Sequence, residues 1–373
     1  MKKHYPIFLI FIANILPINA QVKNIPLYKN LAYKENKISE YASAIKYVPL
    51  ETKRECLLNE ELQIIATSQY IFVHDFLADK VYRFDVNSGK FLNTIGKKGQ
   101  GPGEYKKMFG IYVDDTRKKC FLMDSYAGQT YVYDFDGKFD SVFSGPYVAN
   151  RMIKTNNNYL VNNMLYLQSK NEMFLINDKG KVLRKATLSD NKKYGMQLWA
   201  PYFFNHNEKI YYKNYISDYI YAIDKSLNKS PAYFIDCGKK AVNPREDQYR
   251  LDKGSVIEKS TIVIGEIKAY KDILYIPYCT DKRSFAVYNV KTERIFSPGK
   301  GGKSGFTDDI TNGPLIEVPY SSYLFDSCVP NQLVSAIYLS KIEDEKFKPG
   351  AFKKIMDKLD IDSNPIVRII TLK

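Results

Sequence analysis

Histidine and tryptophan are nearly missing from this chain. Its 373 residues include three histidines and one tryptophan. Past residue 20 only His74 and His206 remain, far apart in sequence. Imidazole clusters of the kind that ligate metals or relay protons are therefore poorly served, and each histidine is read as a strand-end hydrogen-bonding residue. The five cysteines (Cys56, Cys120, Cys237, Cys279 and Cys328) contain no C-x-x-C pair, and no two lie closer than 42 residues. Cys120 and Cys279 fall in apolar runs, where a thiol behaves as a small buried hydrophobe. The reading is of mostly free buried thiols rather than one long-range disulfide, and in a monomer at least one must be unpaired. A G-x-S-x-G nucleophile motif is absent. So is any apolar run of the roughly 20 residues that a membrane span requires.

Charge of one sign is in excess: 55 Lys and Arg stand against 41 Asp and Glu, a formal net charge of +14. The basic residues are scattered through turns such as Lys97-Lys98, Lys118-Lys119 and Lys239-Lys240, with no long run and no nucleic-acid motif, so they read as solvated turns. Lys2 and Lys3, the apolar stretch Tyr5 to Leu16 and the small residue Ala20 read as a secretory signal. Residues 1–20 are expected to be removed near Ala20, leaving Gln21 at the N-terminus and a net charge of +12 (53 basic against 41 acidic residues). No cysteine near Ala20 could carry a lipid, so the expected product is a protein exported to a periplasm or beyond, without a stable membrane span.

Repetition is the strongest positive signal. Val81-Tyr-Arg-Phe-Asp85 returns as Thr130-Tyr-Val-Tyr-Asp134, Met173-Phe-Leu-Ile-Asn177, Ile220-Tyr-Ala-Ile-Asp224 and Phe285-Ala-Val-Tyr-Asn289, at intervals of 49, 43, 47 and 65 residues. Spacings of roughly 40 to 50 residues suit a four-stranded propeller blade, and the longest has room for a polar insertion between Gly238 and Ser260. Each copy ends in Asp or Asn ahead of a turn such as Val86-Asn-Ser-Gly89 or Phe135-Asp-Gly137, which marks a tight hairpin. Strand patterns at Ala44–Leu50 and Leu62–Ala66, and at Pro365–Leu372 near the other end of the chain, predict a last blade that mixes strands from both ends. That removes an exposed edge. The expected fold is all-β: a six-bladed β-propeller over residues 41–373, preceded by a lead segment at 21–40. Pro349–Leu359 is expected as a short helix inserted in the last blade, with Phe352, Ile355, Met356 and Leu359 on one face.

Ser43–Glu51 (SAIKYVPLE), Ile71–Asp75 (IFVHD), Val81–Asp85 (VYRFD), Gly96–Tyr105 (GKKGQGPGEY) and Asn364–Val367 together resemble a family of exported six-bladed β-propellers. That family is numerous in gut-dwelling Gram-negative anaerobes and related to NHL-repeat propellers. The resemblance implies a fold and an exported location; it carries no activity, catalytic residue or cofactor. The middle copies, around Asn171–Asn177, depart most from the pattern.

Candidate chemistry is sparse. Gly96, Gly99, Gly101 and Gly103 could suggest a phosphate cradle, but Pro102 interrupts them and no helix follows, so a crossover between blades is the better reading. Asp85, Asp134 and Asp224 share one repeat position, which points to turn-holding. With 31 Tyr and 21 Phe, aromatics are expected to fill the seams between blades. Tyr126, Tyr215 and Tyr278, with Glu104 and Arg283, are the candidate ligand-binding residues at a channel end; catalytic and metal residues are assigned to none, and no cofactor is expected. The function read from this is an exported, monomeric binding module for a glycan, peptide or protein at one propeller face, with no nucleic-acid partner and no turnover. The rival is a lyase. NHL-like lyases of the streptogramin-inactivating and peptide-amidating types use His and metal ligands, whereas a polysaccharide-type lyase could use channel Tyr and Arg.

Overall fold

The computed structural model describes residues 22–124, 127–164, 169–187, 201–214, 217–241, 261–319, 325–342 and 347–373. The fold is an all-β propeller. Five antiparallel meanders make up most of it. The first blade runs through Leu62–Ala66, Tyr70–Asp75, Lys80–Asp85 and Phe91–Ile95; the second through Gly110–Asp114, Lys119–Asp124, Gln129–Asp134 and Phe139–Ser144. The third comprises Met152–Thr155, Asn158–Asn162, Asn171–Ile176 and Val182–Thr187, and the fourth Tyr202–His206, Lys209–Lys213, Tyr219–Ile223 and Lys229–Ile235. In the fifth, the short strands Val263–Ile264 and Lys268–Tyr270 share one partner, Ile273–Cys279, and Arg283–Asn289 and Ile295–Lys300 follow.

The repeated motif is thus the third strand of each blade. Its terminal Asp or Asn performs the same local task in all five. Asp85 accepts the backbone N–H of Asn87 and Ser88 at 3.0 and 2.7 Å. Asp134, Asn177, Asp224 and Asn289 accept equivalent amides two to four residues downstream. Each side chain supplies acceptors that the turn's own backbone lacks. Apolar seams hold neighbouring blades together: Phe72, Val81 and Ile95 of the first blade pack with Ile111, Cys120, Leu122 and Tyr133 of the second.

Among the described residues the expected sixth four-stranded blade is not formed, and five blades are seen rather than six. Gln332–Ile337, Ile366–Leu372 and Ala42–Pro49 make a three-stranded closing sheet, in which strands from the two ends of the chain pair antiparallel from Ile366↔Pro49 to Leu372↔Ala42. The segment that could have been its fourth strand, Phe325–Ser327, pairs instead in parallel with the axial strand of the first blade, Phe325 opposite Ile64. One strand cannot fill both places. Among the described residues there is one α-helix, Ala351–Met356, shorter than the expected Pro349–Leu359; its Phe352 is buried against Tyr47, Ile337 and Ile366 of the closing sheet.

The lead segment binds to the outside of the ring. Lys23–Ile25 adds in parallel to the outermost strand of the fourth blade, and Tyr33–Lys34 to that of the fifth. It caps two edges that would otherwise expose unpaired backbone groups. All five cysteines are free thiols, three of them buried. Among the described residues no helix is long and apolar enough to cross a membrane. The signal region, and residues 242–260 of the expected insertion, lie outside the described residues.

Candidate functional site

The first strand of each blade faces the propeller axis. In a meander the strands alternate in direction, so the first-to-second and third-to-fourth turns open on one face of the ring. The second-to-third turns and the crossovers between blades open on the other. The axial strands are cross-braced. The Gln63 side chain donates to the Ile111 carbonyl at 3.0 Å and accepts the Ile111 N–H at 2.8 Å, tying the first blade to the second. Asn162 accepts the Asn150 and Arg151 amides at 3.1 and 3.0 Å and donates to the Pro201 carbonyl at 3.0 Å, tying the third to the fourth.

Inside this ring lies a cavity of about 500 Å³. That falls within the range of roughly 300–1,000 Å³ common for small-ligand sites. Three ion pairs stand in its wall, and each joins different strand sets. Lys154 of the third blade meets Asp114 of the second at 2.9 Å. The Arg151 guanidinium donates from Nε to Glu266 Oε1 at 3.0 Å, and a second contact makes the pair two-pronged. Lys268 of the fifth blade pairs with Asp326 on the strand added to the first. Asp114 also accepts the Tyr159 hydroxyl at 2.7 Å and the Thr116 and Arg117 amides at 3.1 Å. Burial alone would raise its pKa, but the hydrogen bonds from Lys154, Tyr159 and the Arg117 amide, with the charge of Lys154, together outweigh burial and hold it below the ordinary carboxylate value.

Other lining groups are quiet. Burial pushes the Cys328 thiol up to about 12, so it stays protonated at neutral pH. Burial likewise raises the Tyr112 phenol. The Tyr202 hydroxyl is engaged by the Gly265 carbonyl at 2.9 Å and the Ile267 amide at 3.3 Å, which fixes the segment carrying Glu266. Among the described residues there is no group of three or more His, Cys, Asp or Glu arranged to hold a metal ion.

Of the candidate ligand-binding residues singled out in the sequence, Glu104, Tyr278 and Arg283 are among the described residues. Glu104 sits in the crossover from the first to the second blade, where Lys97 at 2.7 Å and the Gly101 amide at 2.9 Å hold its carboxyl below the usual range. Tyr278 is buried in the seam between the fourth and fifth blades, its hydroxyl 3.2 Å from Ser297 Oγ. It also walls a smaller cavity of about 300 Å³ beneath the lead segment, with Tyr33 and Ser284. Arg283 is exposed at the start of the fifth blade's third strand. Tyr278 and Arg283 are thus near each other, Glu104 is apart from them, and none of the three lines the axial cavity. Tyr126 and Tyr215 lie outside the described residues. His74 is buried in the second strand of the first blade and His206 at the end of the fourth blade's axial strand, so they do not converge.

Sequence reasoning missed Asp114, Arg151, Lys154, Glu266, Lys268 and Asp326. A signal existed: charges interrupt the short apolar patterns Met152-Ile-Lys154 and Lys268-Ala-Tyr270. The repeated motif belongs to the third strands, whereas these charges stand in the first strands.

A family model described as a domain of unknown function, DUF4934, matches residues 22–371. The chain belongs to the DUF4934 family. No curated protein matches it significantly in sequence. Among solved structures, this DUF4934 chain is similar to a protein of Bacteroides fragilis NCTC 9343 inferred to be exported, with 18% identity, 94% of this chain and 100% of that one covered, and a TM-score of 0.68. It is also similar to a member of the DUF4221 family from Bacteroides vulgatus ATCC 8482, with 9% identity over 89% and 97% of the two chains and a TM-score of 0.50. At these identities the likeness shows the shared fold.

Proposed function

We propose that this DUF4934 protein is an exported binding propeller that takes a polar ligand, the end of a glycan or peptide or a small molecule, in its axial cavity and releases it unchanged. The observation that carries the reading is the cavity of about 500 Å³ walled by three ion pairs, each bridging separate strand sets. Ion pairs around a cavity offer donors and acceptors in fixed positions. Export, to a periplasm or the exterior, is supported by the n-region and apolar stretch of residues 1–20 and by the inferred export of the Bacteroides fragilis relative.

Binding without turnover is supported by the state of the lining groups. The Cys328 thiol and Tyr112 phenol are held protonated by burial, and Asp114 is committed to several donors. A general base works best with a pKa near the operating pH, and none of these three is so tuned. Thermal-shift and calorimetric screening against glycans, peptides and small polar metabolites should give a ligand that stabilises the protein. Asn205 is exposed and lines the cavity, so Asn205→Trp should fill the space and abolish that binding while the melting temperature without ligand stays close to wild type. Mass spectrometry after incubation should recover the ligand intact. Product in excess of protein, lost on Asn205→Trp, would establish the lyase instead.

A further inference from the structure

The cavity wall holds more acids than bases, yet what a ligand meets inside is different. Asp114 and Glu266 are withdrawn behind their partners, each with 1% of its side chain exposed. Lys154 and Lys268 reach the lumen with 26% and 23% exposed. Asp115 stands at the cavity's end, in the turn after the second blade's axial strand, and is matched by Lys118 at 2.6 Å. Among the described lining acids Asp326 is the most exposed, at 44%, and it stands beside Lys268. Two ammonium groups, each about a quarter exposed and each ion-paired, one adjacent carboxylate and the partly buried Tyr112, Phe203 and Tyr270 line the same space.

Resting on the reading of the cavity as the binding site, we infer that its ligand is an acidic saccharide, with a sugar-ring carboxylate set against Lys154 and Lys268. A carboxylate is the group that two ammonium ions can share. Sugar hydroxyls donate to the Asp326 carboxylate, and the C–H faces of a pyranose ring suit aromatic walls. A peptide is the competing ligand: extended peptides bind by adding a strand to an open edge, and the axial edge of the first blade is already occupied by the chain's own Phe325–Ser327, whereas those of the second, third and fourth blades are open among the described residues.

The test uses trigalacturonate, its neutral counterpart trigalactose and the acidic tripeptide Glu-Glu-Glu, titrated calorimetrically into the full mature chain at low salt. The uronate should bind at least tenfold tighter than the neutral sugar, and its affinity should fall as salt is added. Lys154→Met and Lys268→Met should each weaken uronate binding tenfold or more, whereas Lys179→Met, in an exposed third-to-fourth turn, removes the same charge and should change it less than twofold. Melting curves establish that each variant is folded. Equal affinity for the neutral sugar, lost on Asn205→Trp, would overturn the acidic-ligand inference and leave the cavity as a binding site. Tight binding of the tripeptide alone would overturn the saccharide assignment. No binding of any probe, or uronate binding insensitive to both lysine variants, would overturn the inference outright.

Discussion

His74 is the residue whose surroundings make the sharpest statement. It is fully buried, packs against Phe76 in a tilted arrangement with ring centroids 4.3 Å apart, and neither ring nitrogen has a hydrogen-bond partner. Burial lowers its pKa from 6.5 to about 4, against the pull of Asp79 and Asp75 and with a small push from Lys107. Between those two values the unfolded chain binds a proton that the folded chain refuses, so stability must fall as pH drops from about 6.5 to about 4. The depression corresponds to roughly 3 kcal/mol at most. Denaturant unfolding at pH 7 and pH 4.5 should show a loss of that order, and His74→Leu should remove most of the difference; an equal loss in the variant would refute the assignment. Gly103 makes a different demand. Its φ is +76°, and a Cβ there would lie 2.8 Å from Phe139 Cγ. Gly103→Val should cost about 1–3 kcal/mol in the same unfolding assay and leave ligand affinity of the folded fraction unchanged, because the loop lies away from the axial cavity.

At the scale of strands and turns, the third strands were the legible part of the sequence. A strand between two others buries both faces, so Phe84, Tyr133 and Tyr288 repeat as aromatics, and the Asp or Asn that closes each strand must serve the same hairpin turn. Outer strands were harder. Phe139–Ser144 is exposed along most of its length and Val182–Thr187 carries Arg184 and Lys185, so neither keeps a strict hydrophobic pattern. Axial strands were the least legible, because the axis mixes packing with polar lining. Met152–Thr155 buries only Met152, and the fifth blade divides its axial position between Val263–Ile264 and Lys268–Tyr270. The site residues lie in or beside these irregular strands. The lead segment gave no signal either: Lys23–Ile25 and Tyr33–Lys34 are too short to show alternation, and their order comes from pairing in parallel with edges some 200 residues or more away.

For the whole molecule, closure depends on the chain's last strand. Pairing of the two chain ends was legible because Pro365–Leu372 and Ala44–Leu50 both read as orphan strands. The loss of the sixth blade was not, since it turns on which of two neighbours Phe325–Ser327 chooses. Ile366, Val367, Ile369, Ile370 and Leu372 are all buried, and Arg368 between them donates to Ser335 Oγ at 3.0 Å and to the Pro314 and Leu315 carbonyls at 3.1 and 3.0 Å. Burial of five such side chains is worth roughly 7–15 kcal/mol at about 1.5–3 each. That is comparable to the whole net stability of a typical fold. Deleting residues 365–373 would also expose one edge of Ala42–Pro49 and one of Gln332–Ile337 to pairing with other chains. The truncated protein should aggregate or be rapidly degraded by protease at concentrations where the full chain is intact, and soluble material should lack a cooperative melting transition. A truncated chain with an unchanged melting temperature would mean that the five blades hold the ring without it.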